Sequence, residues 1–171
     1  MRPYLIVTSA FALAACGQEA AAPPAKVAAP ARLPAGQYEV TATVESLAST
    51  DKTPVPTFAK AGDTATAQGC VGEDGVPKAE LLAAPGDACA VKEPYIRGGR
   101  MNLTLDCTRP GQGKVMATVD GKYTAEGFTG TLIATTAFVG SGDYRLVEKL
   151  TARKVADQCT TVPAAGGKKA A

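Results

Sequence analysis

Polar and apolar residues alternate along several stretches of this chain. Tyr38, Val40, Ala42 and Val44 are interleaved with Glu39, Thr41, Thr43 and Glu45. Met101, Leu103, Leu105 and Cys107 alternate in the same way with Arg100, Asn102, Thr104 and Asp106. A period of two places successive side chains on opposite faces of a strand, so each run predicts a strand with one face in a core and one in water. Strands of that kind belong to antiparallel sheets, because parallel sheets are covered on both faces. Between Val115 and Phe138 the pair Asp120-Gly121 separates two further strand-like runs. Asp-Gly accommodates the positive φ of a two-residue hairpin turn, and a hairpin turning there is the expectation. The apolar phase shifts near Gly127-Phe128, which predicts a bulge or bend at the glycine. Gly140-Ser141-Gly142-Asp143 predicts a turn into a last strand carrying Tyr144, Leu146 and Leu150. One short helix is expected from Pro77 to Ala83, where a proline suited to the first helical position precedes good helix formers. The predicted fold is mainly β: a small antiparallel meander, sandwich or partial barrel with one short helix and two disulfides.

The two ends of the chain read differently. Arg2 is followed by an almost wholly apolar run from Tyr4 to Ala15, the layout of a secretory signal peptide. A membrane-spanning helix needs roughly 20 apolar residues, more than this run offers. Leu13-Ala14-Ala15-Cys16 resembles the lipobox of bacterial lipoproteins, whose cysteine is lipidated on sulfur and becomes the new N-terminus. The resemblance implies sorting to the outer membrane, since Gly17 and not an aspartate follows the cysteine. Residues 16–35 then form an alanine- and proline-rich tether, too poor in large apolar side chains to offset the entropy of ordering it. Extended, it reaches up to roughly 60 Å. A single β domain is expected over residues 36–162, and residues 163–171 are expected to be a disordered tail.

Cysteine usage fits this division. The chain has 5 cysteines. An odd number in an exported protein leaves a thiol to explain, and lipidation of Cys16 explains it. Cys70, Cys89, Cys107 and Cys159 remain, an even set suited to two disulfides in an oxidising compartment such as the periplasm. A zinc site built from the four thiols lacks the usual CxxC spacing, so no metal is expected.

The cysteine-bearing segments carry a resemblance. Gly36-Gln37-Tyr38-Glu39-Val40-Thr41 opens a strand, and Cys70-Val71-Gly72-Glu73-Asp74 places a cysteine just before an acidic turn. Cys89 and Cys107 form a central pair, and Ala152-Arg153-Lys154-Val155-Ala156-Asp157-Gln158-Cys159 closes the pattern. Together these resemble domain of unknown function 3617, found in exported proteins and lipoproteins of Gram-negative bacteria. Tyr38 stands where tryptophan is commoner, and Ala156 where glycine is usual. That family has no assigned activity, so the resemblance bears on location, disulfides and fold class. Four cysteines allow three connectivities and the sequence does not choose among them. The preferred pairing is Cys89 with Cys107, stapling neighbouring strands, and Cys70 with Cys159, tying the last strand back to the start of the domain.

Candidate chemistry is sparse. With no histidine, Ser-His-Asp and Cys-His arrangements are excluded. Ser49-Thr50-Asp51-Lys52 matches a bare Ser-x-x-Lys pattern beside two prolines, without its companion motifs. Gly140-Ser141-Gly142 and Gly111-Gln112-Gly113-Lys114 lack the spacing of a nucleophile elbow and a P-loop, and read as turns. Glu73-Asp74 is the best-placed acid pair, and adjacent acids before Gly75 suit a solvated turn. Basic and acidic side chains nearly balance, 18 against 16, so no net field steers nucleic acid to the surface. Tyr95, Arg97 and Arg100 form a small local patch. The expectation is a non-enzymatic envelope lipoprotein with no cofactor, anchored by lipid in the outer membrane and facing the periplasm. Its domain is read as an interaction or structural module for an envelope protein. The alternative is a binding module for a small apolar ligand or lipid, lined by aromatics such as Tyr38, Phe58, Tyr95, Tyr123, Phe128, Phe138 and Tyr144.

Overall fold

The alternating runs do become strands, all in one sheet. The computed structural model describes residues 29–57 and 59–160. Seven strands follow one another: β1 (Gly36–Ser49), β2 (Thr64–Val71), β3 (Ala88–Arg97), β4 (Arg100–Arg109), β5 (Gly113–Tyr123), β6 (Gly127–Phe138) and β7 (Tyr144–Ala156). Their order across the sheet is β2-β1-β7-β6-β5-β4-β3, with every pairing antiparallel. Strands β3 to β7 are thus a meander, and β1 returns to lie beside β7. The sheet curls into a half-barrel. The proposed signal peptide, Cys16, Phe58 and the tail at 163–171 lie outside the described residues.

One face of each central strand builds the core. Tyr38 and Val40 from β1, Leu103 and Leu105 from β4, Val119 and Tyr123 from β5, Phe128 and Leu132 from β6, and Leu150 from β7 are all buried. Their polar neighbours in sequence point outward, as period-two patterning requires. The unpaired edges are β2 and β3, and a three-residue 3-10 turn, Ala79–Leu81, packs against both. Leu81 is buried there against Gly69 of β2, where a Cβ would crowd it. Edge β3 carries Lys92, Glu93 and Pro94 at a register shift between Lys92 and Tyr95. A charged, bulged, proline-bearing edge discourages pairing with another chain.

Four expectations change in detail. The helix expected from Pro77 to Ala83 is only that 3-10 turn, because Pro77 instead bridges to Val71 of β2 in an extended conformation. The hairpin between β5 and β6 is present, but it does not turn at Asp120-Gly121. Both residues lie inside β5, and the chain reverses at 124–126, where Thr124 N–H donates to Gly127 O. No register shift occurs at Gly127-Phe128; β6 begins there, and Phe128, Leu132, Ala134 and Phe138 keep one phase. The irregularities lie instead between β1 and β7: at Glu45 of β1, between Val44 and Ser46 and opposite Val147 and Glu148, and at Val155 of β7, opposite Gln37 and Tyr38. Finally, the folded unit begins before Gly36. Leu33 is buried, and the Tyr38 and Tyr123 hydroxyls donate to Pro34 O (2.8 Å) and Ala31 O (3.0 Å), so the end of the segment read as tether is fastened to the domain.

Candidate interaction surface

The four domain cysteines pair as preferred. Cys89 and Cys107 are direct partners across β3 and β4, with Cα atoms 4.0 Å apart. Cys70, near the end of β2, pairs with Cys159 beyond β7, with Cα atoms 5.6 Å apart. The first staples an edge strand to the sheet. The second joins the chain's closing segment to the opposite edge, and Gln37 Oε1 accepts the Thr160 N–H beside it at 3.2 Å.

Motifs with a chemical look resolve into turns. Asp51 gathers the Ser49 and Thr53 hydroxyls and the Thr53 and Asp143 amides, and these hydrogen bonds, that of the Asp143 amide first, hold its carboxyl well below the usual range. Ser49 is therefore engaged by Asp51, while Lys52 occupies a left-handed turn position at φ 66°. Asp74 accepts the Val76 amide at 3.0 Å, which fixes the Glu73-Asp74 bend as an Asx turn. The Gly111-Gln112 segment is the β4–β5 turn, closed by Gln112 N–H donating to Arg109 O.

At the end of the half-barrel bearing the β4–β5 turn, Arg109 makes a buried polar network. Its guanidinium forms a fork on Asp87, at 2.6 and 2.9 Å, donates to the Tyr144 hydroxyl at 2.8 Å and lies 5.3 Å from the Phe138 ring centre. The Asp87 side chain is only 2% exposed, so this pair is a buried clamp joining the loop before β3 to β4 and β7. Those contacts, with Asp87 foremost, hold the guanidinium above its usual pKa. Sequence reading missed this network because its members lie far apart in the chain and none belongs to a motif.

The inner face is filled by its own side chains. Tyr38, Tyr123, Phe128, Phe138 and Tyr144 are all core residues, packed as Tyr38 on Phe128 and Phe138 edge-on to Tyr144. Burial pushes the Tyr38 phenol up to about 12. Glu148 shares a face of β7 with Leu146 and Leu150 and pairs with buried Val44 and Leu132 on the neighbouring strands; burial raises its pKa.

The outward chemistry collects elsewhere. A groove of about 620 Å³ crosses the outer face of the sheet, lined among others by Tyr95, Arg100, Asp120, Lys122 and Lys149. It forms where Gly121 and Gly130 oppose each other: a Cβ on either would strike the neighbouring strand's backbone, so the two glycines let β5 and β6 approach closely. Tyr95 and Arg97 of the sequence-level patch come together here, the Arg97 guanidinium 5.8 Å from the half-exposed Tyr95 ring. The structure adds Lys122, the register partner of Arg100. Among the described residues, no three Cys, Asp or Glu side chains are grouped as a metal site would require.

Residues 33–159 match the family model DUF3617, described as a protein of unknown function. The chain belongs to the DUF3617 family. Neither a curated protein nor a solved structure matches it. The DUF3617 match begins at Leu33, the first buried residue among the described ones, and ends at Cys159, a disulfide partner. The family unit therefore covers nearly all of the folded unit, with the clamp, both disulfides and the groove all inside it.

Proposed function

We propose that this DUF3617 chain is an outer-membrane lipoprotein, lipidated at Cys16, whose β domain works as a non-catalytic interaction module in the cell envelope. The observation that carries this reading is the placement of its side chains. Aromatic and aliphatic groups fill the inner face of the half-barrel, while Tyr95, Arg97, Arg100 and Lys122 face outward. An apolar-ligand module uses such an inner face as its pocket. Here Tyr38, Leu103 and Val119 occupy that space at 0% exposure. The Leu13-Ala14-Ala15-Cys16 motif supports the anchor, and the two disulfides support an oxidising compartment.

Native mass spectrometry of the protein purified gently from its own envelope tests the reading. The expected spectrum shows the chain without a stoichiometric small molecule. A bound apolar molecule at one equivalent would overturn it in favour of a ligand-binding module.

A further inference from the structure

The N-terminal segment meets the domain at one end, which carries a local row of cations as well as the acidic Glu73-Asp74 turn beside Arg32 and Leu33. Ala29 lies against Gly99 in the β3–β4 turn, and Ala31 is held by Tyr123 at the end of β5. Arg97 and Arg100 flank this turn and are register partners, and Arg100 pairs in turn with Lys122. Three exposed cations therefore stand side by side on three adjacent strands. Among the described residues none of them has an acidic partner, whereas Arg109, Lys114, Arg153 and Lys154 all do. Like charges directly opposite on a sheet repel, so the row opposes folding unless an outside anion meets it. Two of the nearby acids are engaged within the protein, while Glu45 also lines the groove. Asp120, the next outward residue of β5, accepts from Asn102, and Glu126 in the adjoining turn accepts from Thr124. Beside the row the half-exposed Tyr95 ring supplies an amphipathic aromatic of the kind that settles at a membrane–water interface.

Chain length completes the argument. Even fully extended, residues 16–29 span at most roughly 45 Å, and they lead to this end of the domain. We propose that the Arg97–Arg100–Lys122 row docks on the anionic surface of the bilayer that holds the lipid anchor, setting the domain with that row against the membrane. This rests on the anchor reading above. Cations at an anionic surface act nearly independently, so each residue strengthens docking about fivefold and the three together about 100-fold. Salt weakens the contact, since screening acts within roughly 8 Å at physiological ionic strength.

The test uses the intact processed protein in vesicles of phosphatidylcholine, alone or mixed with phosphatidylglycerol, read by amide hydrogen exchange. Exchange over residues 95–101 and 122–124 is expected to slow several-fold only in the anionic vesicles, and to recover in high salt. The triple variant Arg97→Glu, Arg100→Glu, Lys122→Glu should lose this protection. A control reversing Lys52, Lys60 and Arg145, exposed cations toward the other end, should keep it. Equal exchange in both vesicles, or protection surviving in the first triple variant, overturns the proposal. Flotation with the neutral vesicles reports the anchor separately. Protein that fails to float overturns the anchor reading alone, because protection over the row is still read with anionic vesicles in excess.

Discussion

Three ionisable residues show how environment decides what a side chain contributes. Asp87 is a carboxylate taken out of water and answered by the Arg109 fork, so removing its charge leaves a guanidinium short of its main partner. Breaking such a buried pair from one side costs about 3 kcal/mol. Asp87→Asn should therefore lower the urea midpoint markedly, with an unchanged slope of unfolding free energy on denaturant. Glu148 is the opposite case, a carboxylate on the inner face whose burial raises its pKa. The folded chain then holds this proton to higher pH than the unfolded chain does. Stability consequently falls as pH rises from the ordinary glutamate range through the raised folded value. Glu148→Gln should stabilise the protein at neutral pH and change little in acid below that range, as urea melts across pH will show. Glu39 carries the reverse sign: hydrogen bonds from Arg153 and Gln68 lower its pKa, so its contribution disappears as pH falls.

At the scale of elements, periodicity was the legible signal and punctuation the ambiguous one. Strands β1, β4 and β7 follow directly from alternating residues, because a sheet with one wet face writes its register into the sequence. Asp120-Gly121 misleads because glycine serves both tight turns and close strand approach, and only the cross-strand partner Gly130, nine residues on, distinguishes the two. Pro77 misleads likewise, since its fixed φ suits a helix start and an extended bridge equally. The β1 bulge at Glu45 depends on where β7 pairs, information absent from β1 itself. The close approach has a measurable consequence. Gly130→Ala should cost about 2 kcal/mol by forcing β5 and β6 apart. Asp120→Ala, on the exposed face of the neighbouring strand β5, should stay within about 0.5 kcal/mol. The disulfides also differ as cross-links. Cys70–Cys159 closes a separation of 89 residues and Cys89–Cys107 one of 18. Loop-closure entropy then gives about 4.5 and about 3 kcal/mol, so replacing both Cys70 and Cys159 by alanine should lower the denaturation midpoint further than replacing the other pair.

For the whole molecule, the half-barrel leaves two edges, and the chain closes them with short-range devices. The 3-10 turn spans the seam between β2 and β3, the Cys70–Cys159 bridge ties β2 to the segment after β7, and Arg109 locks the loop before β3. The site was less legible than the fold. Tyr95, Arg97 and Arg100 stood out as neighbours in sequence, but Lys122 joins them only through strand pairing, and the entry of Ala29 beside Gly99 only through folding. What the molecule presents outward is a row of three cations near the point where its N-terminal segment arrives, which has a purpose if that segment is anchored. The measurement that bears most directly on the account is the mass of the N-terminal peptide of the protein isolated from its native membranes. A mature chain beginning at Cys16 and carrying acyl groups on that residue is the expected result. An unmodified Cys16, or a mature chain beginning elsewhere, would contradict it.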